Sequence, residues 1–552
     1  GGARRGKVKP KKKKKKKKVD ESSAGGGGGN AGAMRMRPLP NLRIDVKGDE
    51  SYREALRSLS EALSGGAAGG SGSGGGPSPP GELQQLACHP SAGPLLIVLL
   101  RVLARAEKGD GAAAGGGGGA GDDDEKKSVA DHRLGILPPE PLYREGSDAD
   151  GLVKRLLCWD DAVAADEGDD KVDAAGESSP EPSASSQRYA PDVIYGLSGE
   201  PRGSHLLETI LRTCPPPFHS SICFSGGFYR PSSFREYALH DVSNFVVQAV
   251  LATARTPAQA ERLLPCVLPL IRGEGDDARY TVLDKKHRRG GILWRAAEMC
   301  ATHRVGTDEL VRAVREGYGT LAAKERDERA PPIEDGDGED GTKKRKKRAR
   351  KPGVAAAPLD ECVRRLLDLK PPERDGGRCS MDAAGARALH HLVQRADDCS
   401  SCGELLSDGL AGGLTGEEWA WIANDGLGSR CIMDAITSTA PSTRRRSGAN
   451  ARTRAVVAIR SKLEGQLASL ASERVGHHSV KNLFAALPPS TSSESGDEKA
   501  LVAAELARSA NRLGGTAMGR AVMDACSVRE YMEGEDAWRA AARRREEAVT
   551  FL

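Results

Sequence analysis

The stretch GSHLLETIL, Gly203 to Leu211, decides the fold once it is set beside SNFVVQAVL, Ser243 to Leu251. In both, a polar residue at position n recurs at n+4: Ser204 with Glu208, and Asn244 with Gln248. Positions n+2, n+3, n+6 and n+7 are apolar. At about 3.6 residues per turn, n and n+4 share one helix face and the apolar set forms the opposite, buried stripe.

The same template fits AGPLLIVLL from Ala92, RGGILWRAA from Arg289, GARALHHLV from Gly385, GSRCIMDAI from Gly428, GHHSVKNLF from Gly476 and GRAVMDACS from Gly519, which makes eight copies. Ser479 and Ser527 interrupt the apolar stripe in the last two. Seven of the eight carry Gly, Ala or Ser immediately before n, a small residue that lets the start of the helix approach a neighbour closely. DGLVKRLL from Asp150 and DECVRRLL from Asp360 also meet the apolar positions, so spacing and the small residue carry the weight.

With n at 204, 244 and 290 the spacings are 40 and 46, and with n at 386, 429, 477 and 520 they are 43, 48 and 43. That is the repeat length of a helical solenoid. The longer gaps, Gly93 to Ser204 and Gly290 to Ala386, hold polar insertions with room for degenerate copies. The chain would then carry about ten or eleven repeats. Helical segments such as Pro257 to Leu270 and Thr307 to Leu321 lie between copies, while strand-like alternation and Asn-Gly turns are missing. The expected fold is all-α: a right-handed α-solenoid.

Of 552 residues, 38% are hydrophobic and 4% aromatic, and 67 are glycines, so much of the chain is not core. Polar or glycine-rich blocks at 65–80, 111–127, 166–186 and 331–353 cannot repay the entropy of ordering. The expected organisation is a basic tail at 1–40, a first half-array at 41–330, a charged insertion at 331–353 and a second half-array at 354–545. Gly1 in place of an initiating Met reads as an incomplete or processed N-terminus.

The net charge of +5 conceals segregation. Lys11 to Lys18 is an unbroken lysine run, and Lys343 to Lys351 follows the acidic stretch Glu334 to Asp340. Two such runs in polar insertions read as nuclear or nucleolar import signals rather than as solvated tails. Most of the 12 cysteines sit among apolar neighbours, as reduced thiols of an intracellular protein do. The longest apolar run, Pro94 to Leu100, is too short for a membrane span.

Cys399-Ser-Ser-Cys402 has half the spacing of a zinc site, without a second pair, and Gly6-Lys7-Val8 is not a phosphate-binding loop. No catalytic site and no cofactor are expected. His477 and His478 beside Lys481 read as a basic surface, and Trp294 as packing between repeats.

Longer stretches carry a resemblance: PDVIYGLSGEPRGSHLLETIL (Pro191 to Leu211), FREYALHDVSNFVVQ (Phe234 to Gln248), RRGGILWR (Arg288 to Arg295) and VGHHSVKNLF (Val475 to Phe484). They are similar to the nucleolar protein nine family, divergent Pumilio-like proteins of small-subunit ribosome assembly. The resemblance implies a U-shaped array that binds precursor ribosomal RNA near the spacer cleavage region, with n and n+4 touching a base edge and n+1 stacking. On this chain it makes Asn244 and Gln248 a uracil-type reader with Phe245 stacking, and Ser204 and Glu208 a guanine-type reader with His205 stacking. It also implies a monomer among the proteins of the precursor small-subunit particle, in the nucleolus, with no membrane.

Gly290, Gly291 and Trp294 depart from that pattern, as do Pro94 with Ile97 and Met433, so only a minority of repeats can read bases singly. Arg387, His390, Ser429, Arg430, His477, His478, Lys481 and Arg520 are then expected to hold mixed single-stranded and structured RNA through phosphates or bases. Two alternatives stay open. A cytoplasmic Pumilio-type regulator of messenger RNA shares the fold, and an armadillo- or HEAT-like scaffold would bind protein instead.

Overall fold

Eight helices start at, or within three residues before, the positions that the template marks. They are α1 (Ala92–Lys108), α2 (Pro201–Thr213), α3 (Ser243–Ala252), α4 (Gly290–His303), α5 (Ala383–Gln394), α6 (Gly426–Gly428 continuing through Ser429–Met433 and Asp434–Thr437), α7 (Gly476–Ala486) and α8 (Ala517–Ala525). The computed structural model describes residues 81–108, 142–158, 190–274, 281–329, 355–372, 379–438, 451–488, 497–534, 536–541 and 544, all in the unit Glu50–Leu552. The basic tail, both lysine runs and the insertions at 65–80, 111–127, 166–186 and 331–353 lie outside the described residues.

Each numbered helix is the middle member of a triplet. Pro191–Gly199 and Pro216–Ser225 flank α2, Pro231–Leu239 and Pro257–Arg272 flank α3, and Leu467–Ser472 and Glu498–Arg508 flank α7. Proline opens five of these helices, where its fixed φ suits the first turn and its missing N–H costs nothing. Thr256 with Gln259 adds a capping box to the last of these, and Thr415 with Glu418 forms one on Gly416–Asn424. Among the described residues there is no strand, and one antiparallel bridge joins Lys370 to Ser380.

The middle helices stack in order, α1 on α2 through to α7 on α8. Third helices form a second layer: Pro257–Arg272 packs on Thr307–Arg329, which packs on Ser400–Glu404, and Leu405–Gly412 packs on Ala451–Lys462. One apolar core runs between the layers. The fold is an all-α solenoid, as the sequence pattern indicates. Among the described residues the two long gaps place no rung between their neighbours, since α1 touches α2 directly and α4 touches α5 directly.

The small residue before n has a specific neighbour. A Cβ on Gly203 would lie 2.7 Å from the carbonyl oxygen of Leu197, and one on Gly476 would lie 2.6 Å from that of Leu470. The contact spans six residues in each case, from the preceding short helix to the start of the middle one, and recurs at Gly428 with Ile422. The stripe-breaking serines are also accounted for. Ser479 Oγ donates to the Ala423 carbonyl at 2.7 Å and bonds Ser429 Oγ at 2.9 Å, while Ser527, at φ 53°, ends α8 in the left-handed region.

Two registers differ from the template. In α1 the glycine that approaches a carbonyl is Gly93, against Ala87, which makes Pro94 rather than Gly93 the residue at n. Burial agrees: Ile97 is 4% exposed, while Leu95 and Val98 are 69% and 39% exposed. The apolar residues on every side of α1 hid this slip of one. In α6, Ser429–Met433 is a π-helical turn. This wider turn keeps Met433 fully buried and leaves Asp434 half-buried beside it.

Candidate nucleic-acid interface

The residues at n turn inward. Asn244 is 1% exposed, and its Nδ2 donates to the carbonyls of His240 at 3.2 Å and Asp241 at 2.6 Å. Its Oδ1 accepts from Gln248 Nε2 at 2.9 Å. Ser204 is buried, and its Oγ donates to the Pro201 carbonyl at 3.0 Å. Both polar groups therefore position the start of their helix, and the side chain at n+4 is the one left facing outward.

At n+4, Glu208 lies 3.4 Å from His205 Nδ1, and this hydrogen bond raises the His205 pKa against the opposing effect of burial. Gln248 is held by Asn244 and leans over α4, where Gly291 leaves space for it: a Cβ at 291 would overlap the carboxamide. At n+1, Phe245 is 51% exposed and His205 is also open to solvent. Two adjacent rungs thus offer a stacking ring beside a hydrogen-bonding side chain, the pairing that a splayed-out base requires.

Beyond these rungs the face changes. Trp294 at n+4 of α4 is buried between two guanidinium groups, Arg295 at 3.7 Å and Arg387 of α5 at 4.5 Å from its ring centre. It packs between repeats. Arg387 at n+1 therefore already stacks on protein.

His390 and Ser429 are corrections to the expected surface. His390 is buried, with Nδ1 on the Cys431 carbonyl at 2.9 Å and Nε2 3.0 Å from Gln394, and buried Ser429 bonds Ser479. Their polar groups join α5 to α6 and α6 to α7.

Arg430, His477, His478 and Lys481 converge. Burial, and then the charges of His477, Lys481 and Arg430, hold the His478 pKa down, and the two histidine rings lie 3.8 Å apart. Arg520 is exposed on α8, its Nη1 donating to the Gly514 carbonyl at 2.9 Å. Asp434, which template reading passes over in favour of Met433, accepts from Asn482 at 2.9 Å, and burial raises its pKa. Only the π turn reveals it, and nothing in the local residue pattern marks such a turn.

The CxxC pair is used internally. Cys399 Sγ donates to Asp308 Oδ1 at 3.1 Å and accepts from the Cys402 amide at 3.4 Å. Among the described residues no cluster of metal-ligating side chains occurs, and no helix is long and apolar enough to cross a membrane.

Among the described residues, eight middle helices stacked in one ladder define a Pumilio-type repeat protein, a class that binds RNA. The chain belongs to the family described as NOP9-like PUF repeat domain, which matches residues 40–521. Similar solved structures include APUM23-GGAUUUGACGG, at 14% identity and a TM-score of 0.49, covering 90% of this chain and 81% of that one. PUF-8 in complex with PBE-RNA is 10% identical with a TM-score of 0.36, covering 88% and 98%. The PUM-HD domain of S. pombe Puf1 in complex with RNA is 12% identical with a TM-score of 0.17, covering 81% and 99%. No curated protein matches the chain.

Proposed function

We propose that this PUF protein binds precursor ribosomal RNA in the nucleolus and acts by binding, without catalysis, in small-subunit RNA maturation within the precursor particle. The observation that carries the reading is the division of one helix ladder into two kinds of surface. Rungs α2 and α3 offer His205 with Glu208 and Phe245 with Gln248, suited to single bases. Rungs α6 to α8 offer Arg430, His477, His478, Lys481 and Arg520, suited to phosphates of a less regular strand. A messenger regulator that reads a linear element would need reading triplets on most rungs. The basic runs at Lys11 to Lys18 and Lys343 to Lys351 favour nucleolar import.

Crosslinking of the full chain in cells, followed by sequencing, tests this. Reads over the spacer beside the 3′ end of the small-subunit RNA are expected. A concentration of reads at messenger 3′ ends would replace the proposal with cytoplasmic regulation, and an absence of crosslinked RNA would favour a protein-binding scaffold.

A further inference from the structure

The eight middle helices differ at their first turn. Seven have a side chain that accepts from amides at the start: His89 for α1, Glu200 for α2, His240 for α3, Asp382 for α5, Asp425 for α6, Asn424 for α7 and Thr516 for α8. α4 has none, and the residues opening it are Gly290 and Gly291. These glycines face a cavity of about 220 Å³ between α4 and α5 that is also lined by Lys285, Arg288, Tyr318 and Asp382.

Tyr318 supplies an independent observation. Its side chain is 3% exposed and lines the cavity, and its hydroxyl has no hydrogen-bond partner among the described residues. The phenol body is thus held by packing, while its hydroxyl is free to donate into the cavity that it lines. The charges around it are resolvable. Lys285 lies 3.3 Å from Asp368, and Asp382 already accepts from the Gly385 amide at 2.6 Å. Arg288, at φ 52°, makes no ion pair among the described residues. The cavity therefore gathers the positive end of a helix dipole, unfilled amides, one uncommitted guanidinium and one unfilled hydroxyl. Apart from the Asp382 carboxylate, which is held by the Gly385 amide, these groups are donors, and a phosphate oxygen is an acceptor that fits them.

We propose that this cavity binds a phosphate group, with Arg288, Tyr318 and the amides of Gly290 and Gly291 as its donors. Resting on the RNA-binding reading, the source is a phosphodiester of the strand that crosses from α3 to α5, where the single-base pattern lapses. A free phosphate or nucleotide offers the same chemistry. Rung α4 would then anchor the backbone where its neighbour α3 reads a base.

The full chain with Tyr318→Phe or Arg288→Ala, titrated with a fluorescent mixed-sequence single-stranded RNA, provides the test. Tyr318→Phe should weaken binding roughly two- to fivefold, equally for scrambled sequences, with the melting temperature unchanged or raised. Arg288→Ala should weaken it about tenfold and flatten the log–log salt slope by about 0.7, the share of one single-strand phosphate.

Calorimetry with inorganic phosphate and with uridine monophosphate separates the sources. Heats abolished by Arg288→Ala while RNA affinity is untouched would support a phosphate site for a free anion. If the wild type bound inorganic phosphate but no RNA, the site would stand and the RNA reading would fall. Unchanged RNA binding, salt slope and phosphate heats in both variants would overturn the proposal.

Discussion

Asn244 and Gln248 look alike as amides four apart, yet the structure gives them different work. Asn244 uses its donors on two carbonyls and its acceptor on Gln248, all under cover. Gln248 reaches out over Gly291. Asn244→Ala should therefore lower stability by about 1–3 kcal/mol and weaken RNA binding, since it strands buried carbonyls and frees Gln248. Gln248→Ala should weaken RNA binding with little change in melting temperature. Equal melting losses in the two variants would remove the distinction drawn between n and n+4.

His478 adds a pH dependence. Burial and nearby cations depress its pKa from 6.5 in the free protein, and a phosphate beside it would raise that value. The bound state then holds more protons, so RNA affinity should strengthen as pH falls below the ordinary histidine range. His478→Gln should flatten that dependence, which affinity measured at several pH values would show.

At the scale of helices, the recurring unit is a close approach of two backbones. The serine or glycine before n was visible in the residues, and so was its purpose, although its partner, a carbonyl six residues earlier, emerges only when the short first helix is in place. Gly203→Ala should lower the melting temperature by an amount equivalent to about 1–3 kcal/mol, because its Cβ would press on Leu197. Gly151→Ala, in the helix Asp148–Leu156 with nothing within 4 Å of the added atom, should instead stabilise by up to about 1 kcal/mol. Calorimetry of the two variants compares them directly.

Periodicity served well wherever one face was polar, as in α2, α3 and α5. It slipped by one in α1, where seven consecutive residues from Pro94 are apolar or proline and every register scores alike. It missed the π turn in α6, since a wide turn arises from packing around it and leaves no local trace. The uncapped start of α4 was legible as Gly-Gly, but the cavity it faces needs Tyr318 from another helix.

Across the array, stability is expected to follow a nearest-neighbour pattern, because among the described residues the extensive packing of each rung is with adjacent ones. Arg452 on the third helix Ala451–Lys462 is a tie between two of them. Its guanidinium meets Asp397 at 2.9 Å and donates to carbonyls at the end of α5 (Val393, 3.1 Å) and of α6 (Ala435 and Ile436). Arg452→Ala should cost about 3 kcal/mol and split thermal unfolding into two calorimetric transitions, one for each side of the junction. A single transition shifted as a whole would show that the array melts as one cooperative body.

The contact of Gln248 with Gly291 bears on whether such an array can be rewritten letter by letter. A side chain placed at position 291 to give α4 a base of its own to stack on would evict the carboxamide that serves α3. On the proposed reading, gaining one letter there would erase the one before it. Specificity at these two positions would then be inherited as a pair, and any attempt to redesign it, by selection or by hand, would have to change both helices in the same step.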